Sequence, residues 1–117
     1  MRYRLSQAAE NDIVEALAWS LEQLGDLARR NYEALIVAAL RDMAADPIGA
    51  AARERPELGP GVLSWHLRAS RSSTTTRVGR PRHLFLYRLD DDMVVVGRML
   101  HDAMELERHM EDDSTWG

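Results

Sequence analysis

From Arg82 to His101 the chain reads RHLFLYRLDDDMVVVGRMLH, two apolar runs divided by three aspartates. Leu84, Phe85, Leu86 and Tyr87 form the first run and Val94, Val95 and Val96 the second. Aromatic and β-branched residues fit a pleated, half-buried surface, so both runs are predicted as strands. Aspartates favour turns because their carboxylates bond nearby backbone amides, so Asp90–Asp92 is predicted as the turn of an antiparallel hairpin. Both runs are apolar on nearly every residue, which requires cover on both sheet faces.

Upstream, the apolar period lengthens. Arg2–Leu5 is a short strand candidate, and Ser6 is placed to cap a helix through its hydroxyl. Ala9, Ile13, Leu17, Ser20 with Leu21, and Leu24 then recur on one helical face, with Glu10, Asp12 and Glu15 early, where the helix dipole favours acids. Gly25 is expected to end this helix in the left-handed region, with Asp26 capping the next. Ala28, Tyr32, Leu35, Ile36, Ala39, Leu40 and Met43 continue the period to Asp46-Pro47, where proline stops it. So short a connection makes the two helices antiparallel neighbours.

Residues 47–61 hold three of the four prolines and are predicted as loop. Val62–Ala69 alternates, with Leu63, Trp65 and Leu67 against Ser64, His66 and Arg68, as in a half-exposed strand whose edge is free to accept an added one. Ser70–Pro81 is polar and aperiodic and is expected to be a mobile hairpin tip or a loop ordered by a partner. Asp102 with Glu105 has the spacing of a capping box, predicting a last helix with Ala103, Leu106 and Met110 on one face. Glu111–Gly117 is expected to fray. The fold class is therefore α+β, a two-layer βααβββα domain over residues 1–117, with an antiparallel sheet packed on a helical hairpin.

Composition narrows the chemistry. All fifteen basic residues are arginine, which excludes lysine Schiff-base and lysine general-base mechanisms. The absence of cysteine excludes disulfides and thiolate metal sites and fits a reducing cytoplasmic setting. No apolar run reaches the roughly 20 residues of a membrane span. The net charge of −4 is uneven: Arg68, Arg71, Arg77, Arg80 and Arg82 fall in one acid-free stretch, so the rest of the chain carries the negative charge. Such a segment fits an anionic partner, or else a solvated loop held by the acidic helices.

RYRLSQAAENDI, a tyrosine-bearing second helix ending in DP, HLFLYR and RMLHDAMELERH, taken in this order, resemble the ParE branch of the ParE/RelE toxin superfamily over nearly the whole chain. The resemblance implies the toxin component of a bacterial type II toxin–antitoxin (plasmid stabilisation) system. It implies a RelE/ParE-like fold, a ParD-like antitoxin as partner, DNA gyrase as target, inhibition by binding rather than catalysis, and no cofactor. The RelE branch, which cuts ribosome-bound mRNA with lysine, arginine and a C-terminal tyrosine, is the alternative. Here there is no lysine, no tyrosine follows Tyr87, Leu84 stands where that branch has an arginine, and its late basic pair falls near Asp102-Ala103. A non-toxic antitoxin-binding module is the third reading.

Two sets of candidate residues follow. Arg68, Arg71, Arg77, Arg80, Arg82, Arg88 and Arg98 are the target- or anion-binding candidates, because a guanidinium fork pairs phosphate or carboxylate in two-point fashion. Trp19, Leu27, Ile36, Leu63 and Trp65 are the antitoxin-binding candidates, as the lining of an apolar trough between the helices and the sheet edge. His101, Glu105 and His109 have the i, i+4, i+8 spacing of helical metal ligands but lack a fourth, and His83 is read as structural.

Overall fold

The chain is described from a computed structural model over residues 1–110, 115 and 116. The order is β1 (Arg2–Leu5), α1 (Gln7–Leu24), α2 (Asp26–Ala45), β2 (Arg53–Glu54), β3 (Leu63–His66), β4 (His83–Asp90), β5 (Met93–His101) and α3 (Leu106–His109). The five strands make one sheet in the order β1-β5-β4-β3-β2, with α1 and α2 packed on it. The sheet is mixed rather than wholly antiparallel, because β1 runs parallel to β5.

Ser6 explains the sharp passage from β1 to α1. Its amide donates to the Val96 carbonyl (2.9 Å), continuing the β1–β5 ladder. Its hydroxyl accepts from the Ala9 amide (3.0 Å) and donates to the Gly97 carbonyl (2.7 Å). One buried serine thus caps α1 and ties it to the sheet. Gly25 joins the helices at φ +94°, but with ψ of 175° it is outside the left-handed helical region. Gly25, not Asp26, is the cap residue of α2; Asp26 lies in the first turn and pairs with Arg29 and Arg30.

The helix face of the sheet buries Trp65, Phe85, Tyr87, Val94, Val96 and Met99 against Ala9, Leu35, Ile36, Ala39, Leu40 and Met43. Each large side chain so buried contributes roughly 1.5–3 kcal/mol. The opposite face is closed by the chain itself. Leu84, Leu86 and Leu100 pack against Leu58, Leu106 and Met110, and Trp116 lies over Gly97, with Arg88 stacked 4.6 Å from the centre of its ring.

Several expectations change. β3 ends at His66, and Leu67–Ser73 is a 3-10 segment. The two-residue β2, which lay in the expected loop, pairs with β3, so β3 is an inner strand with no fully free edge. Ser70–Pro81 lies along α2 rather than standing away as a tip: Ser70 is buried under Trp65 Nε1 (3.1 Å), and Asn31 Nδ2 donates to the Arg77 carbonyl (3.4 Å). Asp102 caps no helix; α3 starts at Leu106 behind Glu105, which makes no side-chain cap bond. Of the expected frayed tail, Thr115 and Trp116 are packed, and residues 111–114 and 117 lie outside the described residues.

Candidate functional site

The hairpin turn sits at Asp91, whose φ of +54° an aspartate tolerates. From the turn, pairs run Asp90↔Met93 to Tyr87↔Val96, and then the register slips: Leu86 faces Arg98, leaving Gly97 as the extra residue. A one-residue slip moves every later side chain to the other face. Beyond this bulge His83 stands opposite His101. The two rings meet edge-on with centroids 5.4 Å apart.

Around them a polar network closes. Tyr32 on α2 accepts from the Arg82 amide (3.2 Å) and its hydroxyl donates to His83 Nδ1 (2.6 Å). His66 Nδ1 accepts from the Arg68 amide (3.1 Å), and His66 Nε2 donates to Asp102 Oδ2 (2.9 Å). Arg82 Nε donates to Asp102 Oδ1 (3.2 Å), and His101 Nδ1 accepts from the Ala103 amide (3.1 Å). All three imidazoles therefore use the Nδ1 lone pair as a tether and carry the proton on Nε2, an assignment that follows from the bonding network.

Burial also sets the charge of part of this network. Burial, helped by the neighbouring His101, pulls His83 down to about 4, so it is neutral at pH 7. Burial likewise pushes the Tyr32 phenol up to about 12. Desolvation acts to raise the Asp102 carboxyl, but hydrogen bonds from His66 and Arg82 outweigh it and hold the group below its ordinary value. A general base needs an available lone pair near its target. Here none of these three rings offers one unless it first gives up its tether.

A groove of about 1080 Å³ opens beside this network. Trp19, Leu24 and Leu27 from the helical hairpin and Met104 line it, at 59, 65, 71 and 43% exposure. The end of the α1 stripe thus points into the groove rather than the core. Arg77, Arg80, Arg82, His83, Arg98 and His101 also line it. Arg98 is held by Asp12 of α1 through Nε (2.7 Å) and Nη2 (3.0 Å), and Asp12 also accepts from the Met99 amide (3.0 Å). A second cavity of about 500 Å³ is lined by Arg71, Arg77, Ser72 and Thr74–Thr76 over Leu35.

The candidate residues divide accordingly. Arg77, Arg80 and Arg82 come together on the groove, Arg71 joins Arg77 at the smaller cavity, and Arg68 is exposed outside both. Arg88 is stacked against Trp116, and Arg98 lines the groove but is held there by Asp12. Trp19 and Leu27 line the groove. Ile36 (3% exposed) and Trp65 (5%) are core residues and offer no surface to a partner, and Leu63 is half-buried against the core. His101 ends β5 and α3 starts five residues later, so the helical spacing to His109 does not exist.

Tyr32, His83, Asp102 and Asp12, the carboxylate that holds Arg98, are the groups that sequence reasoning missed as a site. Their one legible trace was that histidines mark the open end of the hairpin on both strands. Counting back from the turn without the bulge pairs His83 with Leu100 instead. The chain matches no protein-family model, and comparison with curated proteins finds no match.

Proposed function

We propose that this chain is the toxin component of a type II toxin–antitoxin pair, with the RelE/ParE-like topology. In this reading it acts on DNA gyrase by occupying a surface, without catalysis, and a ParD-like antitoxin neutralises it by laying an amphipathic segment in the groove. The observation that carries the reading is the groove itself: exposed Trp19, Leu24 and Leu27 beside an arginine wall, next to imidazoles whose lone pairs are already engaged. Exposed apolar side chains gathered in one concave site mark a docking surface. The ordered sequence resemblance in β1, α2, β4 and β5 supplies the identity of the partners.

The test is induced expression with and without the antitoxin gene, followed by a supercoiling assay with purified gyrase. Growth arrest relieved by the antitoxin, and supercoiling blocked by the pure protein, are the expected results. Unchanged supercoiling at excess protein overturns the gyrase assignment. A second reading, RelE-like ribosome-dependent cleavage of mRNA, draws on the cluster of His66, His83, His101 and Arg82, which has proton donors and a cation in one place. Cleaved transcripts that disappear in the His101→Gln variant would favour it.

A further inference from the structure

We propose that the end of the groove where His83 and His101 meet is a carboxylate subsite that receives one Asp or Glu side chain of the docked segment. This rests on the reading of the groove as a partner-docking surface and names what that partner must carry. The tethers leave both rings offering only N–H donors: Tyr32 occupies Nδ1 of His83, and the Ala103 amide occupies Nδ1 of His101. Arg82 spends its Nε on Asp102, one of the five N–H groups of a guanidinium. Arg80 is exposed and makes no ion pair among the described residues.

Among the described residues, four arginines line the groove against two carboxylates. Of these, Asp12 is taken by Arg98 and the Met99 amide, and Glu15 sits on α1. Donors without acceptors are satisfied best by a group that only accepts. An ionised carboxylate is one, and its bonds to cationic donors are about twice as strong as neutral ones. A serine or glutamine side chain would bring donors of its own. A nucleic-acid backbone fits less well, because Trp19, Leu24, Leu27 and Met104 interrupt the cationic track it would follow.

The experiment selects helical 16-residue peptides from a displayed library on the full-length protein, discarding those that still bind the Trp19→Asp, Leu27→Asp variant. The best binder is then compared with its Glu→Gln or Asp→Asn twin by calorimetry. The expected result is an acidic residue at a fixed distance from the apolar positions. Its amide twin binds the native protein about ten-fold more weakly. Against Arg82→Gln and His101→Gln variants of native circular dichroism, the two peptides should differ by less than about two-fold. Groove binders with no acidic requirement, or twins of equal affinity on the native protein, would overturn the subsite while leaving the groove reading intact. Failure to select any peptide dependent on Trp19 and Leu27 would overturn both.

Discussion

The two apolar surfaces outside the main core are treated in opposite ways. Behind the sheet, Leu84, Leu86 and Leu100 are covered by the chain's own Leu58, Leu106 and Met110, and Trp116 closes over Gly97. In front, Trp19, Leu24 and Leu27 stay exposed on a groove that the arginine-rich stretch also lines. The difference is one of charge. The segments behind the sheet bring apolar side chains to an apolar face, whereas the stretch beside the groove brings Arg77, Arg80 and Arg82, which stay solvated. A surface left open next to exposed arginines fits the docking role proposed above.

The contrast breaks most directly by truncation. Leu86→Ala or Leu100→Ala, behind the sheet, should cost about 2–5 kcal/mol in denaturant unfolding, whereas Leu27→Ala in the groove should stay within about 0.5 kcal/mol. Equal losses at both places would erase the distinction. Asp12→Ala removes the carboxylate that accepts two bonds from the Arg98 guanidinium, only 15% exposed, and should cost about 2–3 kcal/mol. Gly97→Val sharpens the account of the closed face. A Cβ there would meet the Trp116 ring at 2.6 Å and the Thr115 carbonyl at 2.8 Å, so a loss of about 1–3 kcal/mol is expected. Adding Trp116→Ala to that variant should recover part of the loss, as a double-mutant cycle would measure.

Acid should loosen the network beside the groove. The unfolded chain protonates His83 near 6.5, whereas the folded protein resists to about 4, so the unfolded state binds more protons in that window. Stability therefore falls as pH drops from 6.5 towards 4, by an amount on the order of 2–3 kcal/mol. Asp102 has the same sign at lower pH: its folded carboxyl is depressed, so its contribution is lost as pH falls through that lower value. His83→Gln should flatten the upper part of the profile. The smallest effect on stability is expected from charge reversal at Arg71, Arg77 and Arg80, which are exposed. That variant should unfold within about 0.5 kcal/mol of the native protein yet bind the acidic partner proposed above far more weakly, a loss that added salt reproduces in the native protein.

Much of the fold was legible because local rules agreed with one another. Ser6, Gly25 and Pro47 bracket two helices whose apolar period faces the core, except at the end of α1, and Asp91-Asp92 turns a hairpin whose residues are apolar on both faces. What escaped was set by partners far away in the sequence. Two residues of β2 carry no periodicity, and Asp102 had the spacing of a cap but found His66 and Arg82 instead. The site was legible only in part for the same reason. Trp19, Leu27 and the arginines could be singled out by type, but the meeting of His83 and His101 depends on the bulge at Gly97, which no alternation announces. Ile36 and Trp65 were misplaced because an apolar residue on a helix or strand reads alike whether it lines a core or a trough.

The claim that the groove exists for a partner is tested most directly by one paired measurement on the Trp19→Asp, Leu27→Asp variant: thermal unfolding of the protein alone, and relief by the proposed antitoxin of the growth arrest that the proposed toxin function predicts. The account expects a melting temperature within about 2 °C of the native value together with loss of neutralisation. A large fall in melting temperature with neutralisation intact would show that these side chains hold the fold together and receive nothing.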